Sequence, residues 1–258
     1  MTLEAVILDV DGTIADTEDL HRRAFNAAFA AHGQDWAWDE ATYHDLLAVH
    51  GGQARMRAWV EDHRPRDLAR LEQEGAFEAI HATKTDLFLS LAEDAAVLRP
   101  GVTRLLRDLR SSGLKFAVCA SCARSTFEAL IVSALGFDAL DWFHAVVTRE
   151  DTPEGTPAPD RFRHTLRLLG VAPENAIAIE DNGRGVDAAA DAGIDVIAVP
   201  CRWTRDDDLS RAFLVLSDLG EAQSPFEVLR GDPGPFNRVS AESLAFWHDR
   251  LRGGAAAA

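Results

Sequence analysis

The chain has 258 residues, a formal net charge of −16 and 47% hydrophobic residues, a composition typical of a soluble globular protein with a sizeable core. The acidity argues against nucleic-acid binding, and no apolar run approaches the ~20 residues that a membrane span requires. A strand predicted at the very start leaves no room for a targeting peptide, and an odd number of cysteines is typical of a reducing compartment. We therefore expect a cytoplasmic protein of one large or two small domains, without nucleic-acid or membrane partners.

The first predicted element is a short buried strand that ends in two acids. The apolar run Ala5–Leu8 is brief and leads into a turn at Gly12, which favours a strand over a helix. Side chains alternate along a strand, so Asp9 and Asp11 can face one pocket at its carboxyl end, where ligands bind in open α/β sheets. Two carboxylates this close require a metal, a proton or a cationic substrate. An acid-rich turn without function is the alternative, which the full DxDGT pattern disfavours.

The following segments are predicted to be helical, because their apolar residues recur at helical spacing and few strand-like runs occur among them. Residues 17–95 are therefore predicted to form a helical domain that is inserted after the first strand. The predicted helices in this domain cover residues 21–32, 40–49, 54–62, 67–73 and 77–92.

Strands and helices alternate from residue 96 to residue 222, which implies right-handed βαβ units and a parallel sheet. Together with residues 1–16 this region is predicted to form a Rossmann-like α/β core domain. The predicted helices are Val102–Ser111, Arg124–Leu135, Asp160–Leu169 and Gly185–Ala192, and the predicted strands are Phe116–Cys119, Ala145–Thr148, Ala176–Ile179 and Val196–Val199.

Residues 223–258 form a C-terminal extension. Pro225 and the run Gly231–Pro235 indicate a loop, and Ser240–Leu251 is predicted to be a short amphipathic helix with Ser240 as its cap. This helix either packs on the core or contacts a second subunit, and we expect a monomer or a weak homodimer.

A second apolar strand also ends in acids. Ala176–Ile179 leads directly into Glu180 and Asp181. Acids also favour helix N-termini, which is an alternative explanation. The first strand also ends in a pair of acids, Asp9 and Asp11, so the two pairs together favour a metal site. Carboxylate oxygens suit a hard cation such as Mg²⁺.

The motif Asp9-Val10-Asp11-Gly12-Thr13, with the segment that continues to Phe25, resembles the haloacid dehalogenase-like hydrolases. The longer stretch resembles their CbbY-like branch, which is near the phosphoglycolate phosphatases and β-phosphoglucomutases. The resemblance implies that Asp9 is a nucleophile that becomes an aspartyl phosphate, and that Asp11 is the general acid/base whose carbonyl binds Mg²⁺. Asp181 and Glu180 would complete the Mg²⁺ site, and residues 17–95 would be the C1 cap, a lid over the active site.

One departure from the family concerns a hydroxyl group. The family has Ser or Thr at the end of the strand before Arg124–Leu135, and this hydroxyl binds the transferring phosphoryl group. Counting back without gaps places Ala120 there. Ser121 can substitute if the strand end shifts by one residue, and backbone N–H groups at the helix N-terminus also bind phosphate.

A second departure concerns a cation. The family has Lys before Pro-x-Pro-Asp, whereas this chain has Thr156, and its only lysines are Lys84 and Lys115, of which neither suits the role. Losing one such electrostatic contact often costs on the order of 10²–10³ in rate. The candidate replacements are Arg124, Arg149 and Arg184.

The resemblance implies a Mg²⁺-dependent phosphatase of a small phosphorylated metabolite, with a sugar bisphosphate such as xylulose 1,5-bisphosphate as the leading substrate. Two alternatives are open: an impaired relative that binds a phosphorylated ligand without efficient turnover, and a sugar-phosphate mutase, which shares the aspartyl phosphate. The retained metal acids favour turnover. The predicted substrate-binding residues are Thr17, Glu18, His21, Tyr43, Arg55 and Ser121, with His81 and Lys84 as further candidates for a remote phosphate.

Overall fold

A computed structural model describes residues 2–49, 51–95, 98–153 and 158–255. The chain forms two compact units, of which one comprises the described residues of 1–16 and 96–258 and the other those of 17–95. No helix in the described part is both long and apolar enough to cross a membrane.

The first unit contains a seven-stranded sheet of order β3-β2-β1-β4-β5-β6-β7, in which β1 to β6 are parallel and β7 is antiparallel. This confirms the predicted α/β fold with a Rossmann-like parallel sheet. The strands are β1 (Ala5–Leu8), β2 (Lys115–Cys119), β3 (Ala145–Val147), β4 (Ala176–Glu180), β5 (Asp195–Ala198), β6 (Leu214–Leu216) and β7 (Val228–Arg230).

Five α-helices lie in each unit of the described chain. Those of the second unit are α1 (Glu18–Ala31), α2 (Glu40–Leu46), α3 (Gly52–His63), α4 (Leu68–Gln73) and α5 (Ala76–Ala95). Those of the first unit are α6 (Val102–Ser112), α7 (Arg124–Leu135), α8 (Ala158–Leu169), α9 (Gly183–Asp191) and α10 (Ala241–Ala255).

The central strands are apolar throughout because both of their faces are covered. All four residues of β1 are buried, and β2 and β4 flank it in register, with Leu8 opposite Val118 and Ile179. Such doubly covered strands are continuous hydrophobic runs rather than alternating ones. One face packs against α8 and α9, which contribute Phe162 and Val186 to a shared apolar cluster. The register places the carboxyl ends of β1, β2 and β4 side by side.

The helical unit has an aromatic core between α1 and the segments that follow it. Phe25 and Phe29 of α1 both pack against Trp38, with ring centroids 4.8 Å apart in each pair. Aromatic pairs at this spacing stabilise a core beyond their area burial. The α1–α5 pair is the main helix contact of the unit.

The C-terminal extension differs in one respect from its prediction. The loop predicted after residue 223 contains β7, which pairs with β6, a strand that was also not predicted. Both have only three residues, and all residues of β7 are exposed, so neither leaves a pattern of period two. Helix α10 starts at Ala241, whose N–H donates to the Asp108 carboxylate, and Trp247 Nε1 donates to the Pro233 carbonyl at 2.9 Å.

Candidate active site

The two acids of the first motif follow β1 at the carboxyl edge of the sheet. Asp9 continues the strand, and its N–H donates to the Ile179 carbonyl of β4 at 3.1 Å. The chain then turns sharply, with Ile14 N–H bonded to Val10 O at 2.9 Å and Gly12 at a φ of +85°. A non-glycine residue rarely adopts that φ, so the glycine allows the turn that follows the acids.

Three acids converge beside this turn. Oxygen atoms of Asp9, Glu180 and Asp181 all lie within 4.8 Å of one another, and the last two residues are only 3% and 2% exposed. Burial raises the pKa of Glu180 well above its usual range, and the nearby Asp9 and Asp181 carboxylates raise it further. Buried like charges at this spacing require a compensating cation or a proton.

These residues fit a divalent cation. Glu180 Oε2 is buried and has no hydrogen-bond partner, which is costly unless another group neutralises it. The donor set consists of carboxylate oxygens, the ligands that Mg²⁺ prefers. Asp9, Glu180 and Asp181 are therefore the residues that would hold it.

Two glycines leave room for these carboxylates. A Cβ at Gly12 would lie 2.1 Å from Asp181 Oδ2, and a Cβ at Gly185 would lie 2.1 Å from Glu180 Oε2. No side-chain carbon can approach an oxygen atom so closely. The positions of both acids therefore depend on the absence of a side chain at residues 12 and 185.

The Asp181 carboxylate is held by its neighbour Asn182 and by a loop after β5. Asn182 Nδ2 donates to Oδ1 at 2.7 Å, whereas Thr204 Oγ1 and Cys201 Sγ donate to Oδ2 at 3.1 Å and 3.6 Å. Burial and the neighbouring Asp181 raise the pKa of Cys201 to about 11, so its thiol keeps the proton that it donates. These contacts fix the orientation of a predicted metal ligand.

We expect Thr204→Val to weaken Mg²⁺ binding by about 10–100-fold, because loss of a hydrogen bond that orients a metal ligand has this cost. Thr204→Ser keeps the hydroxyl and is the matched control, expected to bind Mg²⁺ nearly as the parent does. Titration calorimetry with Mg²⁺ measures both. Equal affinities of the Val and Ser variants would show that this hydroxyl does not position Asp181.

Arg99 connects the motif turn to the loops after β5 and β6. Its guanidinium donates to the carbonyls of Gly12 and Val199, to Pro200 O at 3.0 Å and to Ser217 O at 2.9 Å. The planar fork of arginine suits several acceptors at once. One side chain therefore satisfies four carbonyls around the turn that follows Asp9 and Asp11.

Ala120 is the residue that the resemblance aligns with the family hydroxyl. Ala120 is buried, and its N–H extends the pairing of β2 by donating to Val147 O at 2.9 Å. Ser121 is solvent-exposed, so its substrate role stays a prediction. Cys122 is buried instead, and burial followed by the nearby Asp11 and Asp9 carboxylates raises its pKa well above the usual range. The Cys122 thiol therefore lies near the two acids of the first motif.

Of the three arginines proposed to replace the family lysine, two are paired with acids and one is exposed. Arg124 donates to Asp151 Oδ2 at 2.9 Å and to Val146 O at 2.8 Å. Arg149 pairs with Glu150 at 3.2 Å on the surface, and Arg184 is exposed. Thr156, which the resemblance aligns with the family lysine, lies outside the described residues. Lys115 donates to Leu169 O at 2.6 Å from the first residue of β2, at the edge opposite the acids.

The helical unit holds most of the predicted substrate-binding residues. Tyr43 is fully buried and donates its hydroxyl to Glu18 Oε2 at 2.7 Å, and Arg55 donates to the same hydroxyl at 3.3 Å. Arg55 Nε also donates to Val49 O at 2.9 Å. Residues from α1, α2 and α3 thus form one polar cluster, which we call the Glu18–Tyr43–Arg55 cluster.

His21 belongs to a second group in this unit. Lys84 Nζ lies 2.8 Å from His21 Nδ1 and is only 8% exposed, although lysine is rarely buried. Its ammonium lies 5.0 Å and 5.1 Å from the ring centroids of Phe25 and Phe88, which gives cation–π contacts. Thr17 is fully buried at the start of α1. The roles of these side chains toward substrate stay predictions.

Sequence reasoning missed two residues that support this edge, Arg99 and Thr204. Both act through loops that are distant in sequence from the acids, so no local pattern marks them.

Comparison with known proteins agrees with this geometry. The profile of the haloacid dehalogenase-like hydrolases matches residues 3–193. Protein CbbY of Cereibacter sphaeroides is 38% identical over 220 residues, 85% of this chain and 94% of the relative. The plasmid-encoded CbbY of Cupriavidus necator is 35% identical over 248 residues, 95% of this chain and 97% of the relative.

A solved structure extends the similarity to three dimensions. The crystal structure of a CbbY mutant from Rhodobacter sphaeroides in complex with xylulose-(1,5)bisphosphate has a TM-score of 0.73 and 36% identity. The match covers 86% of this chain and 98% of that one.

Proposed function

The chain belongs to the haloacid dehalogenase-like hydrolases, and we propose from this that it is a Mg²⁺-dependent phosphatase of a small phosphorylated sugar. The proposal rests chiefly on the group formed by the half-buried Asp9 and the buried Glu180 and Asp181 at the carboxyl edge of the sheet. Xylulose 1,5-bisphosphate is the leading substrate, because the crystal structure of a similar CbbY holds that compound.

The reaction proceeds in two displacements. An oxygen of Asp9 attacks phosphorus while the bond from phosphorus to the sugar oxygen breaks, and Asp11 gives its proton to the leaving alkoxide. Water then attacks the phosphorus of the aspartyl phosphate, Asp11 takes the proton of that water, and inorganic phosphate leaves. Asp9 and Asp11 return to their starting states.

The acids beside Asp9 support its role as the nucleophile, because they could hold Mg²⁺ next to it. Bound Mg²⁺ supplies positive charge that offsets repulsion between the carboxylate and the phosphate dianion. Glu180 and Asp181 would hold it beside the nucleophile, and the Asp11 carbonyl is the further ligand that the family resemblance implies. The contacts from Thr204 and Asn182 keep the Asp181 oxygens oriented before substrate arrives.

The Glu18–Tyr43–Arg55 cluster is our candidate for recognition of the rest of the substrate. The Glu18 carboxylate can accept hydrogen bonds from sugar hydroxyls, and a guanidinium suits a second phosphate group. Tyr43 orients both, since its hydroxyl donates to Glu18 and accepts from Arg55.

We expect Tyr43→Phe to raise KM for xylulose 1,5-bisphosphate by roughly 10-fold with little change in kcat, because a hydrogen bond to a charged group contributes about 1.5–3 kcal/mol. Steady-state kinetics on the bisphosphate and on a monophosphate measure the effect. Tyr43 is the only tyrosine of the chain, so Phe127→Leu in the other unit is a control for a buried aromatic change. Unchanged KM on both substrates would contradict a role of this cluster in binding.

Single-turnover release of phosphate from xylulose 1,5-bisphosphate, with and without Mg²⁺, tests the proposed function. Release that requires Mg²⁺ is expected, with transient labelling of Asp9. If the parent is inactive and Thr156→Lys restores large activity, the chain is the impaired relative instead. If the phosphoryl group moves to a second hydroxyl of the sugar rather than to water, it is a mutase.

A further inference from the structure

Asp9, Cys119 and Glu180 form a row across three neighbouring strands. Leu8 of β1 pairs with Val118 of β2 and with Ile179 of β4, so the next residue of each strand belongs to this row. Alternation along the strands places the row on the same face as Ile7, Ala117 and Ala178, the face that α8 and α9 cover. Any side chain of α8 that extends past the apolar cluster toward the carboxyl edge therefore meets this row.

Helix α8 is fixed against the row by Thr165. Its hydroxyl donates to the Arg161 carbonyl at 2.9 Å, and the side chains of Thr165 and Cys119 are hydrogen-bonded. Arg161 lies one turn, about 5.4 Å, nearer the N-terminus of the helix and on the same helix face. Because α8 connects two parallel strands, it runs antiparallel to them and its N-terminus lies at the carboxyl edge. Arg161 is therefore placed about one helical turn beyond the row, toward the carboxyl edge of the sheet.

One donor of the Arg161 guanidinium lacks a partner in the protein, because its Nε is buried and has no hydrogen-bond partner. Burial raises the pKa of Cys119 to about 12, the Glu180 and Asp9 carboxylates add to this, and Thr165 and Arg161 lower it, so the charge of Arg161 acts on one member of the row. A buried arginine donor without an acceptor is suited to an anion that supplies the acceptor.

A positively charged side chain is also needed at this edge to balance the charges of the acids and of a bound phosphate. Asp9, Glu180 and Asp181 carry up to three negative charges, and one divalent metal ion leaves the site without an excess of positive charge for a phosphate dianion. Arg124 and Arg149 are engaged by Asp151 and Glu150.

We propose that Arg161 binds the phosphoryl group that is transferred to Asp9, with its guanidinium in the role for which the chain lacks a lysine. This inference rests on the proposed phosphatase function, but phosphate binding can be measured without turnover. The chemistry is a guanidinium–phosphate contact, which is stronger and more directional than an ammonium contact.

The test compares Arg161→Met with Arg163→Met. Arg163 lies two residues further along α8 and pairs with Asp160 at 2.7 Å on the surface, so it is the matched control. We measure the Kd of inorganic phosphate by calorimetry with saturating Mg²⁺, and kcat/KM on xylulose 1,5-bisphosphate. Arg161→Met is expected to weaken phosphate binding at least about 10-fold and to lower kcat/KM by about 10²–10³-fold. Arg163→Met is expected to stay within about twofold of the parent on both measures.

The outcomes separate this inference from the proposed function. If the parent binds phosphate but releases none from any sugar phosphate, the function fails, while a weaker Kd in Arg161→Met still supports the site. Parent-like phosphate binding by Arg161→Met, or no phosphate binding by the parent, overturns the inference. Should Arg161→Met fail to fold by circular dichroism, Arg161→Gln keeps a polar side chain without the charge and is judged by the same Kd.

Discussion

Asp9→Asn is expected to reduce phosphate release by about 10⁴-fold or more, a loss of the size found when the nucleophile of a covalent mechanism is removed. The amide is close in size to the carboxylate but cannot attack phosphorus or hold a phosphoryl group. It also removes one negative charge from the group that contains Glu180 and Asp181. Single-turnover kinetics measures the loss of phosphate release, and hydroxylamine trapping measures the loss of the aspartyl phosphate.

The control for this change is Asp141→Asn, which alters an exposed acid of the same unit and is expected to leave the rate unchanged. A trapped acyl phosphate that persists in Asp9→Asn would assign the nucleophile to another acid. Parent-like release without any trapped intermediate would contradict covalent catalysis altogether.

Gly12→Ala is the second change for which we expect a large effect. A methyl group there would lie 2.1 Å from Asp181 Oδ2, at a φ of +85° that alanine adopts only with strain. Asp181 must then move away, and displacement of a catalytic group by about 1 Å can cost 10²-fold in rate. We expect at least this loss in kcat/KM, together with weaker Mg²⁺ binding.

Gly113→Ala separates strain from displacement. Gly113 has a φ of +81° and nothing within 4 Å of an added Cβ. Both variants are expected to lose about 1–2 kcal/mol of unfolding free energy from the left-handed backbone, whereas only Gly12→Ala should lose Mg²⁺ affinity and activity. Urea denaturation and calorimetry give both quantities. Equal activity of the two alanine variants would show that the Asp181 position tolerates the methyl group.

The parallel core could be predicted because its signals are local. β1 and β4 are short apolar runs that end in acids, and parallel pairing then brings those acids to one edge. The short strands β6 and β7 could not be predicted, since three residues carry no periodicity and β7 is an exposed edge. What fixes β7 is its pairing with β6, a non-local contact.

The acids of the candidate site could be predicted from the sequence, but the hydrogen bonds that hold them and the adjoining turn in place could not. Arg99 lies 87 residues from Gly12 along the chain, and Thr204 lies 23 residues from Asp181. Hydrogen bonds across such separations depend on where the loops return, which no local pattern encodes. The burial of Cys122 likewise depends on tertiary packing, which no local pattern encodes.

The position of β1 has a consequence for biosynthesis. The ribosome makes this strand before the other six strands of the sheet, and its two neighbours begin only at Lys115 and Ala176. Until translation passes those points, both edges of an apolar strand are open to other nascent chains, which is the condition under which slow, non-local sheets aggregate. A product released before residue 180 would carry Asp9 without either of its acidic neighbours, so the candidate site is complete only late in synthesis.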